Sequence, residues 1–219
     1  MNALPTLQYF DGSGRGESIR MACHLGNLQF NDERLSQEQF GAKKGAGEFP
    51  LGSVPVWIED GQKYCQSNVV LRMVGMRTNQ YGTDSNTTWA IDSVMEAVED
   101  NMKHYGPYLM KQVFGGGKAG QEEVDSLCTF LGNLCELVER RLNGHGKKYV
   151  AGDKLTVADC KVAAMFFCSV YNENMPMAPE HREAAKATIA KYPKAQQYFE
   201  KTLMTRLSGY LAQRPKMAY

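Results

Sequence analysis

Along the first 80 or so residues the spacing of apolar positions changes several times, whereas from about residue 88 onward it keeps the three- and four-residue repeat of amphipathic helices. Thr6, Leu7, Gln8, Tyr9 and Phe10 read as a strand, Asp11-Gly12-Ser13-Gly14 breaks it, and a helix is expected over residues 15–25. Residues 30–35 suit a second strand, residues 41–52 are glycine-rich and read as irregular, and residues 54–59 suit a third strand. Asp60-Gly61 joins it to residues 62–65, because Asp-Gly between two strand-like runs favours a tight hairpin. Ser67 is the expected N-cap of a helix ending near Arg77.

Residues 81–87 are polar and rich in turn formers, and they divide the chain into a domain over 1–80 and a helical domain over 88–219. Ile91, Val94, Met95, Val98, Met102 and Tyr105 form one helical stripe; Val124, Leu127, Cys128, Leu131, Leu134, Cys135 and Val138 form another. Gly115-Gly116-Gly117-Lys118 between them lacks the spacing and the Ser or Thr of a phosphate loop, so it reads as a helix connection. Thr156 and Asp159 open an apolar helix to about Tyr171 with a capping box, which makes Asp159 structural rather than catalytic.

Lys and Arg number 25 against 24 Asp and Glu, without a basic face, so nucleic acid is not an expected partner. The longest apolar run, residues 162–171, is far shorter than the roughly 20 residues that span a bilayer, so no membrane association is expected. Met1 to Pro5 lacks a secretory pattern, and the six cysteines, dispersed in apolar contexts, read as thiols of a reducing cytoplasm. His24, His104, His145 and His181 keep no metal-ligand spacing, so no metal is expected. Nucleophile-elbow and Cys-x-x-Cys motifs are missing.

Three segments remain that converge at one end of a small sheet: the turn after Tyr9, the Ser53-Val54-Pro55 segment and the helix start at Gln66-Ser67. Val54-Pro55 is a candidate cis peptide whose exposed backbone groups would pair with an extended peptide as with an added strand. The helix start offers amides and the Ser67 hydroxyl to a carboxylate. A short acidic peptide fits both.

Residues 9–20 (YFDGSGRGESIR), 49–56 (FPLGSVPV), 66–67 (QS), 152–159 (GDKLTVAD) and the tail 210–215 (YLAQRP) resemble the cytosolic glutathione transferases, most closely the sigma class. The resemblance implies an α/β thioredoxin-like N-terminal domain (βαβ, ββα), an all-α C-terminal domain, glutathione as co-substrate and a homodimer. By the same resemblance Tyr9 hydrogen-bonds the glutathione sulfur with Arg15 beside it. Lys44 faces the glycyl carboxylate, preceded by Phe40 where the family usually has tryptophan. Val54 and Pro55 meet the cysteinyl backbone, Gln66 and Ser67 clamp the γ-glutamyl end, and Asp100, following Glu99, reaches the partner subunit's ligand.

A hydrophobic electrophile would then lie over Phe10, Gly12, Met102 and Tyr105, with Met217 and Tyr219 of the tail. Three functions follow from the resemblance: conjugation or peroxide reduction, a sigma-type prostaglandin endoperoxide isomerase, and a non-enzymatic crystallin-like structural protein. Retention of Tyr9, Arg15, Gln66 and Ser67 favours an enzyme.

Overall fold

The structure, a computed structural model, describes residues 3–145 and 148–217. Strand β1 (Thr6–Phe10) lies between β2 (Asn31–Leu35) and β3 (Val56–Glu59), with β4 (Gln62–Cys65) outermost, in the order β2-β1-β3-β4. β1 and β2 are parallel, and the other two pairings are antiparallel. Asp60 and Gly61 turn the hairpin with φ of 48° and 78°, the two positive values that the Asp-Gly pair favours. Helix α1 (Glu17–Leu25) connects the parallel strands and α3 (Ser67–Arg77) follows the hairpin, completing the thioredoxin-like arrangement.

The remainder is helical: α4 (Ser85–Tyr108), α5 (Gln121–His145), α6 (Val157–Phe167), α7 (Pro179–Ile189), α8 (Pro193–Gln197) and α9 (Met204–Gln213). Every residue of α6 is buried, which explains why its sequence is apolar all round apart from Asp159 and Lys161. α1 packs against α3 on one side and α6 on the other, so Ile19, Leu71, Val98, Phe130 and Phe166 belong to one continuous core. Among the described residues, no helix is long and apolar enough to cross a membrane.

Four local expectations are corrected. Residues 41–52 are not wholly irregular: α2 (Gln37–Gly45) occupies their start, opened by a reciprocal capping box between Ser36 and Gln39 that offsets the low helix propensity of Gly41. The helix expected from Arg15 begins at Glu17, after a single 3₁₀ turn over Gly14–Gly16. Gln66, not Ser67, caps α3. The apolar helix stops at Phe167, where Ser169 turns its hydroxyl back onto the Met165 and Phe166 carbonyls. The polar stretch before α4 is also tied down: Asp84 caps α4, and buried Gln80 donates to the Ala22 carbonyl while its own carbonyl accepts from the Val157 amide.

Asp159 has the structural role that its spacing indicates, and a larger one. Its carboxylate accepts from the Thr156 amide at 2.6 Å, the Thr156 hydroxyl at 3.1 Å and the Val150 amide at 3.1 Å, and also from the Tyr198 hydroxyl. Burial lifts the carboxyl above its ordinary range, and these donors pull part of that rise back. Losing a cap costs about 1 kcal/mol, and each buried donor left without an acceptor about 1–3 kcal/mol. Thr156→Ala with Asp159→Ala is therefore expected to lower stability by about 3–5 kcal/mol, read as a fall in urea midpoint at constant m. A loss under about 1 kcal/mol would remove the structural role.

Candidate functional site

Sheet register assembles the site. Gln8 pairs with Val56, and Val56 pairs with Cys65. One residue further toward the same edge, Tyr9, Pro55 and Gln66 therefore form a row across three strands. At about 4.8 Å per strand this row is roughly 10 Å long, the length of an extended tripeptide. The Val54-Pro55 bond is cis, as the sequence suggests.

At one end of the row Tyr9 is held on three sides. Its phenol oxygen accepts the Arg15 backbone amide at 2.9 Å. The loop approaches this closely because Gly14, at φ +38°, and Gly16 have no side chains; a Cβ on Gly14 would overlap the phenol, and one on Gly16 would lie 2.8 Å from Tyr9 Cδ1. The guanidinium of buried Arg20 stands 5.7 Å from the ring centroid and donates to the Gly12 carbonyl at 2.7 Å, anchoring the loop. An amide donating to the phenol oxygen favours the electron-rich form, so the phenol hydrogen becomes a stronger donor toward an anion.

The Arg15 side chain bridges to Glu99 on α4. Glu99 also accepts from Lys161 of α6 at 3.1 Å, and Lys161 donates to Asn68 of α3 at 2.9 Å. Burial raises the Glu99 carboxyl, but Lys161 and Arg15 together outweigh it and hold the group below its ordinary value. At the other end of the row Gln66 adopts φ 72° and ψ 113°, a conformation that costs a non-glycine residue about 1–3 kcal/mol and concentrates at ligand clamps. Gln66 occupies the N-cap position of α3 without a side-chain hydrogen bond to it, and a helix start of this kind offers its first amides to an anion.

Phe40 on α2 packs 4.9 Å from Phe10 and 5.4 Å from Phe49, and Lys44 Nζ lies 5.6 Å from its ring. Lys43 is neutralised by Glu33 and Glu48, whereas Lys44 has no acidic partner among the described residues. Met102 is only partly buried, but Tyr105 is in the core, stacked 4.7 Å from Phe130 with its hydroxyl 3.9 Å from Met175 sulfur. Met217 is held by Asn172, which donates to its carbonyl at 2.9 Å; Tyr219 lies outside the described residues. Asp100 is exposed on α4, along a cleft between α4 and α5 that Asn101, His104 and Leu137 also line.

Sequence reasoning did not single out Arg20, Asn68 or Lys161. Of these, Lys161 alone carries a signal, since a lysine inside an otherwise apolar helix needs a partner. The six cysteines are free, and burial pushes the thiols of Cys23, Cys135 and Cys168 up to about 12, so these three are poor nucleophiles. Among the described residues, no group of His, Cys, Asp and Glu side chains is placed to hold a metal ion.

Residues 109–214 match the family model described as "Glutathione S-transferase, C-terminal domain". A probable glutathione S-transferase of Caenorhabditis elegans, gst-36, is 32% identical over 162 residues, covering 72% of this chain and 76% of the relative. Glutathione S-transferase 3 of the same organism is 26% identical over 211 residues, covering 91% and 97%. Among solved structures, a C. elegans glutathione S-transferase aligns with a TM-score of 0.75 at 24% identity, covering both chains completely at 100%. A Necator americanus glutathione S-transferase described as monomeric aligns with a TM-score of 0.77 at 23% identity, covering 99% and 100%.

The Gly14 contact is directly testable. Gly14→Ala is expected to lower stability by about 1–3 kcal/mol and to displace the Tyr9 ring, read by thermal unfolding and near-ultraviolet circular dichroism. Gly47→Ala is the control, because Gly47 has φ +72° but nothing within 4 Å of a built Cβ. Equal losses and unchanged tyrosine signals in both variants would show that the close approach to Tyr9 carries no constraint.

Proposed function

The chain belongs to the glutathione S-transferase family, and from that membership we propose that it activates the thiol of glutathione for attack on hydrophobic electrophiles. The observation that carries this reading is the Tyr9 phenol, polarised by the Arg15 amide, in one row with Pro55 and Gln66. The γ-glutamyl and cysteinyl units of extended glutathione lie along that row, and the glycyl unit continues beyond Tyr9. The γ-glutamyl carboxylate is assigned to Ser67 and the start of α3, the cysteinyl backbone to Val54 before the cis Pro55, and the glycyl carboxylate to Lys44 beside Phe40. These assignments place the cysteinyl sulfur at Tyr9.

A cysteine thiol of pKa about 8.5 is only a few per cent thiolate at neutral pH, and the thiolate is the nucleophile. A phenol donor and the Arg15 charge both favour the anion. The thiol proton passes to solvent, sulfur forms a bond to the electrophilic carbon, and the leaving group departs with the electron pair of the bond that breaks. The same thiolate attacking the terminal oxygen of a hydroperoxide would break the O–O bond, releasing the alcohol and leaving glutathione sulfenic acid, which a second glutathione converts to the disulfide and water. Phe10, Gly12 and Met102 are the residues assigned to the electrophile, with Tyr105 supporting them from the core.

Within the family we place the chain nearest the sigma class, on the Tyr9–Arg20 segment and the Tyr210–Pro215 tail. We assign it to detoxification in the cytoplasm, where free cysteines persist. The polarised Tyr9 favours an enzyme over a crystallin-like structural protein. An assay panel of an aryl halide, a hydroperoxide and a prostaglandin endoperoxide separates conjugation from peroxide reduction and isomerisation.

Tyr9→Phe removes one hydroxyl and keeps the ring. Losing a hydrogen bond to a charged group costs about 1.5–3 kcal/mol, so kcat/KM at neutral pH is expected to fall about 10- to 150-fold. The deficit should shrink as pH rises past the free-thiol value of about 8.5, where solvent itself ionises the thiol. Superimposed pH titrations of the bound-thiolate absorbance in wild type and Tyr9→Phe would assign activation elsewhere.

We further assign exposed Asp100 to the γ-glutamyl amine of the partner subunit's ligand in a homodimer. Asp100→Ala is expected to raise the glutathione KM more than it lowers kcat, because binding felt equally in ground and transition states is lost. A monomer in sedimentation at micromolar concentration would remove this role.

A further inference from the structure

α6 carries one charged group that capping does not use. Lys161 sits in the run Cys160-Lys161-Val162-Ala163-Ala164 with 1% of its side chain exposed. Two acceptors, from different parts of the chain, meet its ammonium: Asn68 Oδ1 at 2.9 Å and Glu99 Oε2 at 3.1 Å. Asn68 directly follows Ser67 at the start of α3, and the other oxygen of Glu99 takes the Arg15 guanidinium. The neighbouring carboxylate, Glu96, is taken up by Arg72 at 2.5 Å and by the Asn68 amide at 3.3 Å.

Alone, Glu99 would cancel the charge of Arg15, and a neutral pair gives little help to a thiolate. With Lys161 on its second oxygen, the Arg15–Glu99–Lys161 cluster carries one net positive charge. We propose that Lys161 is a positioning residue for thiol activation, sharing the charge of Glu99 so that Arg15 keeps its field at the thiol while Asn68 ties α3 to the same centre. The proposal rests on the reading of Tyr9 and Arg15 given above. It deepens that reading by adding a residue of the helical domain that reaches the reaction only through others.

The geometry has two consequences. Removing the ammonium leaves Glu99 to neutralise Arg15, so the thiol should ionise less readily. Removing the Glu99 charge as well should undo that effect, because nothing remains for Lys161 to offset. A purely structural lysine predicts neither the shift nor the reversal.

The test is a pH titration of the bound-thiolate ultraviolet absorbance with glutathione, beside steady-state kinetics with an activated aryl chloride. Lys161→Met is expected to raise the apparent pKa of the bound thiol by about one unit and to lower kcat/KM at neutral pH about tenfold. Affinity for S-methylglutathione, which has no thiol to ionise, should change less than about threefold. Lys161→Arg should keep the wild-type titration, and Lys161→Met with Glu99→Gln should return to within a few tenths of a unit of it.

Superimposed titrations of wild type and Lys161→Met would overturn the proposal, as would failure of Glu99→Gln to reverse the shift. If Lys161→Met does not fold, Glu99→Gln alone decides: its thiol pKa should stay or fall, and a rise overturns the proposal. A thiolate band moved by Tyr9→Phe but not by the Lys161 variants overturns the role of Lys161 alone. Absence of any thiolate band in wild type overturns thiol activation itself, and the role of Lys161 with it.

Discussion

Glu17 has no exposed surface, and the fold around the site is organised by the need to satisfy that buried carboxylate. Arg214 of the tail reaches one of its oxygens at 2.7 Å, and Arg20 lies 3.5 Å from the other. Arg20 also takes Asp32 on β2 at 3.0 Å, and Arg214 donates to the Phe167 carbonyl, at the end of α6, at 3.0 Å. One ion network thus joins α1, β2, the end of α6 and the tail. Removing a single partner from such a network costs about 3–5 kcal/mol, because the remaining charge is stranded away from water.

The site inherits its rigidity from this network. The guanidinium that neutralises Glu17 also holds the Gly12 carbonyl and stands over the Tyr9 ring, so the loop from Gly12 to Gly16 is fixed by charges buried beneath it. Arg15 is then used twice: its amide reaches the Tyr9 oxygen and its side chain reaches Glu99 on α4. Preorganised donors of this kind need no rearrangement when charge develops at the reacting atom.

α2, on the far side of Tyr9 from Gln66, is built on weaker interactions. α2 contains no fully buried residue and is held by its capping box and by Phe40 packing against Phe10 and Phe49. Few buried apolar contacts mean a low local opening free energy, so α2 opens locally more readily than the buried helices such as α6.

The chain by itself determined the features set by short-range physics. The strand Thr6–Phe10, the Asp-Gly hairpin, the stripes of α4 and α5 and the Thr156–Asp159 capping box each depend on residues a few positions apart, and each is present. Tyr9, Gln66 and Ser67 stand where strands end and a helix starts, but a role for Tyr9 came only from the resemblance to the glutathione transferases. α2 was hidden because its glycines outweigh, in a local reading, a capping box that Ser36 and Gln39 complete. Only the tertiary structure decided which charges meet. Arg15 with Glu99, Lys161 with Asn68, and Glu17 with Arg214 are 84 to 197 positions apart. Their pairing follows from how α1, α3, α4 and α6 share one core, since a buried charge takes whichever partner the packing of helices brings within reach.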